Sequence, residues 1–138
     1  MAVESVTLLV LLFVAASAYG FWYQRSRGRI KATENRAQKI TPIKIGAEFG
    51  ERATLLQFSS AFCTPCRATK VLLKQVVQDF PGIKHVEIDA ESNLELVREL
   101  NIKSTPTTLV LDSSGIEISR AVGAPRRSDV VASLNAIR

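Results

Sequence analysis

Phe62-Cys63-Thr64-Pro65-Cys66-Arg67 decides how this chain is read. Its two cysteines are the only ones in the sequence. They follow the apolar run Leu55-Leu56-Gln57-Phe58 and precede a helical pattern in which Val71, Leu72, Val76 and Phe80 are expected to face a core. The dithiol therefore stands where a strand turns into a helix. At a helix start, unpaired backbone N–H groups and the positive end of the helix dipole stabilise an anion. Cys63 should ionise more readily than a free cysteine, and the thiolate is the form that attacks disulfides. Cys66 comes round to the same side of the helix about one turn later, within reach of a disulfide to Cys63. Pro65 lacks an N–H at a place where a helix has no partner for one, so it shapes the turn at little cost.

The stretch Phe58-Ser59-Ser60-Ala61-Phe62-Cys63-Thr64-Pro65-Cys66 resembles the active-site segment of the thioredoxins. A second landmark lies forty residues beyond Cys66, where Ser104-Thr105-Pro106-Thr107 resembles the cis-proline loop of the same family and opens an apolar strand. The resemblance covers residues 41–138. It implies an α/β thioredoxin fold, a mixed central sheet sandwiched by helices. Cys63 would be the attacking and Cys66 the resolving cysteine of a thiol–disulfide oxidoreductase acting on protein disulfides. Pro106 would be the cis proline facing the sulfurs, Thr105 would offer backbone hydrogen bonds to a substrate peptide, and Phe62, Thr64 and Pro65 would line the substrate site. The reactive group would be the Cys63–Cys66 disulfide itself, with no cofactor and no metal, and electrons would come from an external reductase or thiol.

The departures from the family pattern carry chemistry too. Phe62 stands where a tryptophan is usual, which keeps an apolar lip and loses the indole N–H. Thr64 replaces a glycine between the cysteines, and Val71 stands near the place of a helix proline. The buried aspartate that usually precedes the first cysteine by six residues is Gln57, and its accompanying lysine is Glu87. A glutamine cannot accept a proton, so either Glu87 or water takes it from Cys66, or turnover is slow.

Other readings of these residues are weaker. Half a zinc site is a known use of a CxxC pair, but one histidine and no second cysteine pair cannot complete four ligands within the chain. His85, alone on a strand face, reads as a surface or packed residue rather than a base. A non-catalytic adaptor that holds a partner through the Pro106 loop is the alternative from another functional class.

The 138 residues suffice for one core-bearing domain. Lys and Arg number 18 against 13 acids, but six of the bases and only two of the acids fall in residues 1–40. The rest of the chain is nearly neutral, and no basic face with interleaved aromatics argues for nucleic acid. Ser5 to Gln24 carries no charge. As a helix it would be about 30 Å long, the thickness of a bilayer's hydrocarbon core. Tyr19, Trp22 and Tyr23 at its far end suit a membrane interface. Residues 1–24 are therefore expected to be a membrane anchor, and a buried helix of a soluble protein is the lesser alternative. Ala16-Ser17-Ala18 has the form of a signal-peptidase site, but no base precedes it, and the expectation is a retained anchor. The bases after it put the domain on the cytoplasmic side of a cell membrane by the positive-inside rule, with the extracytoplasmic side as the alternative.

Residues 25–40 read as a basic juxtamembrane linker, flexible or loosely helical, lying against anionic headgroups or merely solvated. Residues 41–138 form the domain. Within it we expect a short edge strand at Ile43–Ile45, strands at 54–59 and 84–89, a helix at 63–79 and a short helix at 94–100. A hairpin of 107–111 with 117–122 follows, then a last helix over 129–137 capped by Ser128.

Overall fold

The computed structural model describes residues 2–33 and 39–137. In chain order the elements are α1 (Ala2–Ser26), β1 (Ile30–Ala32), α2 (Pro42–Ile45), β2 (Ala53–Ser59), α3 (Thr64–Asp79), β3 (Ile83–Asp89), α4 (Leu94–Glu99), β4 (Thr107–Asp112), β5 (Glu117–Val122) and α5 (Arg127–Asn135). The strands form one sheet in the order β1-β5-β4-β2-β3. Only the β2–β3 pair is parallel, and α3 makes the crossover between its strands; β4 and β5 are joined as an antiparallel hairpin. This is the mixed sheet that the alternation of strand and helix patterns predicts.

Every residue of β2 is buried. A strand covered on both faces reads as a continuous apolar run rather than an alternating one, which is how Leu55 and Leu56 come to sit side by side. Their side chains then part company. Leu56 and Phe58 join Ile88, Leu96, Ile102, Leu109 and Leu111 on one face of the sheet. Leu55 joins Leu73 and Val76 of α3, Val110 of β4, and Val130 and Leu134 of α5 on the other. Two half-cores on either side of one sheet give the sandwich.

Four local expectations are corrected. Residues 43–45 are helical, because Pro42 presets the first turn and Gly46 closes it in the left-handed region. Val71 is exposed on α3, whose buried side chains are Cys66, Thr69, Leu73 and Val76. Those positions recur at three and four residues and share one face, and Val71 falls on the opposite one. The last helix starts at Arg127 with Arg126 at its cap, and the Ser128 hydroxyl is turned to the Asp129 carboxylate instead of the helix N–H groups.

The fourth correction concerns the basic linker. Residues 30–32 are not a loose tether: Ile30 pairs with Ala121 and Ala32 with Ser119, so that β1 covers the edge of β5. Ile30 also packs against the half-core formed with α3 and α5, and Ile40 is fully buried in the other. An edge strand with unpaired backbone groups draws in whatever nearby segment can satisfy them, basic or not. The rest of the expected linker, residues 34–38 with Arg36, lies outside the described residues.

Upstream, Glu4–Ser26 is long and apolar enough to cross a membrane, with a mean hydropathy of 1.9 over its most apolar stretch. Leu8, Leu9, Leu11, Leu12 and Phe13 are all exposed on it. Such a helix suits a membrane span or a signal sequence.

Gly28 fixes how α1 meets the domain. Its N–H donates to the Val122 carbonyl at 2.7 Å. Its φ is +80°, and a Cβ there would stand 2.0 Å from the Ala124 carbonyl oxygen. Neither the conformation nor the space admits a side chain. Gly28→Ala is expected to release β1 from β5, seen as faster proteolytic cleavage between Arg27 and Lys31, with loss of about 1–3 kcal/mol of stability in denaturant titrations. Unchanged cleavage would show that the connector is held by other contacts.

Candidate active site

The site is built where β2 ends and α3 begins. Cys63 is the N-cap residue of α3, with extended backbone, and Pro65 lies in the first turn as expected. Its sulfur accepts a hydrogen bond from the Cys66 N–H at 3.2 Å, and its carbonyl accepts from the N–H of Arg67. The Cys66 N–H is shared between Cys63 Sγ and the Cys63 carbonyl, so a donor at the helix start lies against the sulfur, where it would also stabilise a thiolate. The two cysteines form a disulfide with Cα atoms 5.2 Å apart. Cys63 keeps 9 % of its surface and Cys66 only 3 %, so the sulfurs differ in access as well as in position.

Around the disulfide the structure assembles most of the residues that the sequence singles out. Phe62 stands fully in solvent, 99 % exposed, as a free apolar lip. The Thr105–Pro106 peptide bond is cis. The cis-proline loop is tied to the cysteine segment by a hydrogen bond between the Ser60 and Thr105 hydroxyls, 3.0 Å apart. It is tied to the end of β5 by the Gly123 N–H, which donates to the Pro106 carbonyl at 2.8 Å. Pro65, Thr105 and Pro106 line one groove, a cavity of about 270 Å³.

Beneath the disulfide lies a polar layer. Gln57 is completely buried, and its amide Nε2 donates to the Cys66 carbonyl at 2.9 Å and to Ser59 Oγ at 3.0 Å. Both amide protons are then used, and Oε1 is left as an acceptor. His85 Nε2 lies 2.9 Å from it. Because Oε1 can only accept, Nε2 of His85 carries the proton that completes the bond. Sequence reasoning treats His85 as a bystander. The parallel register that pairs Gln57 with Glu87 sets His85 on the same face two residues earlier, one strand over. A long polar side chain between Leu56 and Phe58 in the buried run of β2 is the signal that a partner had to exist for it.

Glu87 stands beside this layer rather than in it. It is ion-paired with Lys70 of α3. Burial pushes its carboxyl up, but hydrogen bonds from Lys70 and Ser59 outweigh that and hold it below the usual carboxylate range. Gln57, not Glu87, is the side chain hydrogen-bonded to the cysteine turn. No group of three or more metal-ligating side chains is present among the described residues.

Burial lowers the pKa of His85. The Glu87 carboxylate opposes that shift, and Lys70 and Lys74 on α3 reinforce it. The group is therefore held neutral in the fold. The unfolded chain binds this proton first as pH falls below about 6.5, so stability carried by neutral His85 is present above that value and lost below it. In thermal unfolding between pH 7.5 and 5, His85→Gln is expected to lose less stability on acidification than the parent. Parallel pH profiles for the two proteins would show that His85 titrates alike in both states.

Comparison with known proteins agrees with this geometry. The family model described as Thioredoxin matches residues 44–136. Thioredoxin H5 of Oryza sativa subsp. japonica is 34 % identical over 77 residues, which is 56 % of this chain and 56 % of that protein. Putative thioredoxin H10 of Arabidopsis thaliana is 24 % identical over 108 residues, covering 72 % of this chain and 70 % of its own length. The chain thus spans a little over half of the rice relative. Among solved structures, mitochondrial thioredoxin 3 of Saccharomyces cerevisiae superposes with a TM-score of 0.56 at 18 % identity, over 63 % of this chain and 80 % of that one, a likeness of fold.

Proposed function

This chain belongs to the thioredoxin family, and from that premise we propose that it is a membrane-tethered thiol–disulfide oxidoreductase whose main work is reducing protein disulfides. The observation that carries the reading is the disulfide at the start of α3, with the more accessible sulfur at the helix cap.

In the reduced protein, the Cys63 thiolate attacks one sulfur of a substrate disulfide. A Cys63–substrate bond forms, the substrate S–S bond breaks, and one substrate thiolate leaves. Cys66 then gives up its proton and attacks Cys63 Sγ, which closes the Cys63–Cys66 bond and expels the second substrate thiolate. Two electrons pass from the dithiol to the substrate; one substrate thiolate regains the Cys66 proton by way of its acceptor, and the other takes from water a proton equivalent to the one Cys63 released on ionising. Glu87, joined to the Gln57 layer through Ser59, is the carboxylate to take up the Cys66 proton. Its lowered pKa makes it a weak base, so this step is slow. The substrate peptide lies along Phe62, Thr64 and Pro65, with the backbone of Thr105 as its hydrogen-bond partner opposite Pro106. No cofactor beyond the disulfide enters, and an external reductase or small thiol restores the dithiol.

Three units serve this reading: an anchor over 1–24, a basic connector over 25–40 and the catalytic domain over 41–138. The six bases between Arg25 and Lys39 favour a cytoplasmic domain on a single-pass protein of the cell membrane. A reducing compartment in turn favours a reductase.

In cells, Cys66→Ser should accumulate mixed disulfides with substrates that disappear on reduction, and Cys63→Ser should accumulate none. Partners retained equally by both variants would sink the enzymatic reading in favour of an adaptor. Topology is checked separately with a membrane-impermeant maleimide. Labelling of Cys63 only after permeabilisation, without added reductant, is the expected outcome, whereas labelling of intact cells would reverse the orientation.

A further inference from the structure

The groove beside the disulfide is not made by the domain alone. Pro65, Thr105 and Pro106 line it together with Gly123 and Ala124, and the remaining lining residues are Gln24, near the end of α1, and Arg27, just beyond it. The connector is held there by the contacts already described. Gly28 is bonded to Val122 and packed against Ala124, and Gly123 is in turn bonded to the Pro106 carbonyl. A short run of backbone contacts therefore sets Arg27 and the cis-proline loop across one cavity.

Arg27 brings charge to a groove whose other lining residues are uncharged. Its guanidinium lies 5.6 Å from the centre of the Tyr23 ring, and no carboxylate pairs with it among the described residues. Arg120, the base on nearby β5, is by contrast held on both oxygens of Glu117. A guanidinium that is steadied on an aromatic face and left without an anion offers its donors to a ligand.

Resting on the oxidoreductase reading above, we propose that Arg27 is a specificity residue. The groove takes an extended peptide whose reacting cysteine is flanked by an aspartate or glutamate, and the end of the apolar helix supplies the charge that selects it. The substrate lies between the disulfide and the exit of α1, so it is a segment that runs close to where this helix leaves the domain.

The test uses the full chain in uncharged detergent micelles at about 0.15 M salt, where long-range steering is screened. Prereduced protein is mixed with a set of otherwise identical disulfide-bonded peptides bearing Asp, Asn or Lys next to one cysteine, and single-turnover reduction is followed. A partly exposed ion pair predicts that the Asp peptide is reduced about threefold to fivefold faster than the Asn peptide, with the Lys peptide slowest. Arg27→Gln should erase this order. Arg27 also borders a neighbouring cavity, where Arg29 and Lys31 join it; Arg29→Gln removes the same charge from that cavity without touching the groove, and should keep the order.

The same peptides with serine for cysteine, fluorescein-labelled, are titrated against the Cys63→Ser/Cys66→Ser protein by anisotropy, where the same order of affinity is expected. An order that is absent from both measurements, or that survives Arg27→Gln, overturns the proposal. Failure to reduce any peptide would instead remove the oxidoreductase reading, and anisotropy alone would then decide whether the groove selects acidic segments.

Discussion

The complete burial of β2 is the constraint on which the rest of the structure depends. A strand with no free face must have a partner on each side and a layer above and below, and the chain meets those demands in order. β3 and β4 flank it, while α3 with α5 and the α2–α4 region cover it. The strand can then end nowhere but at the boundary of the core, and α3 begins there. The disulfide sits at that boundary because the first turn of α3 is the point where unpaired N–H groups, burial and access to solvent coincide. The same constraint makes Gln57 a structural problem. A polar side chain in a strand without an open face must be fully satisfied, and it is satisfied by the cysteine turn on one side and His85 on the other. Core packing and the chemistry of the site thus meet in one amide.

Much of this was legible in the sequence wherever local and global signals agree. The apolar run before Cys63, the strand pattern over 84–89 and the hairpin pattern of 107–111 with 117–122 each name their element, and the structure has those elements. The two cysteines form a disulfide, and the Thr105–Pro106 bond is cis. Local detail was less legible because propensity competes there with geometry. Ile43-Lys44-Ile45 looks like a strand by composition, yet the Pro42 and Gly46 that flank it specify a helical turn. Val71 looks like core by hydropathy, but the angular spacing of α3 turns it outward.

Contacts between distant segments were not legible at all. Nothing in Ile30-Lys31-Ala32 announces a strand, since its reason for being one is the open edge of β5 ninety residues later. Nor does Arg27 announce that it will line a groove with Pro106. Composition describes what a segment can do alone, and this connector acquires its conformation from its neighbour. His85 is a similar case: its partner is set by register between two strands, a quantity that a single sequence carries only weakly.

The pairing of β1 with β5 bears on self-association as well. An exposed sheet edge is a template on which another chain can add a strand. Here one border of the sheet is closed by a strand only three residues long, too short to offer a second chain a ladder of useful length. The other border, β3, carries Lys84, Glu87 and Asp89 in a seven-residue strand, and the charges make a flat apolar docking of a second copy unfavourable. With both borders blunted, sheet-to-sheet polymerisation is disfavoured even when many copies are confined at close quarters, and the exposed apolar ring of Phe62 can be kept for transient encounters.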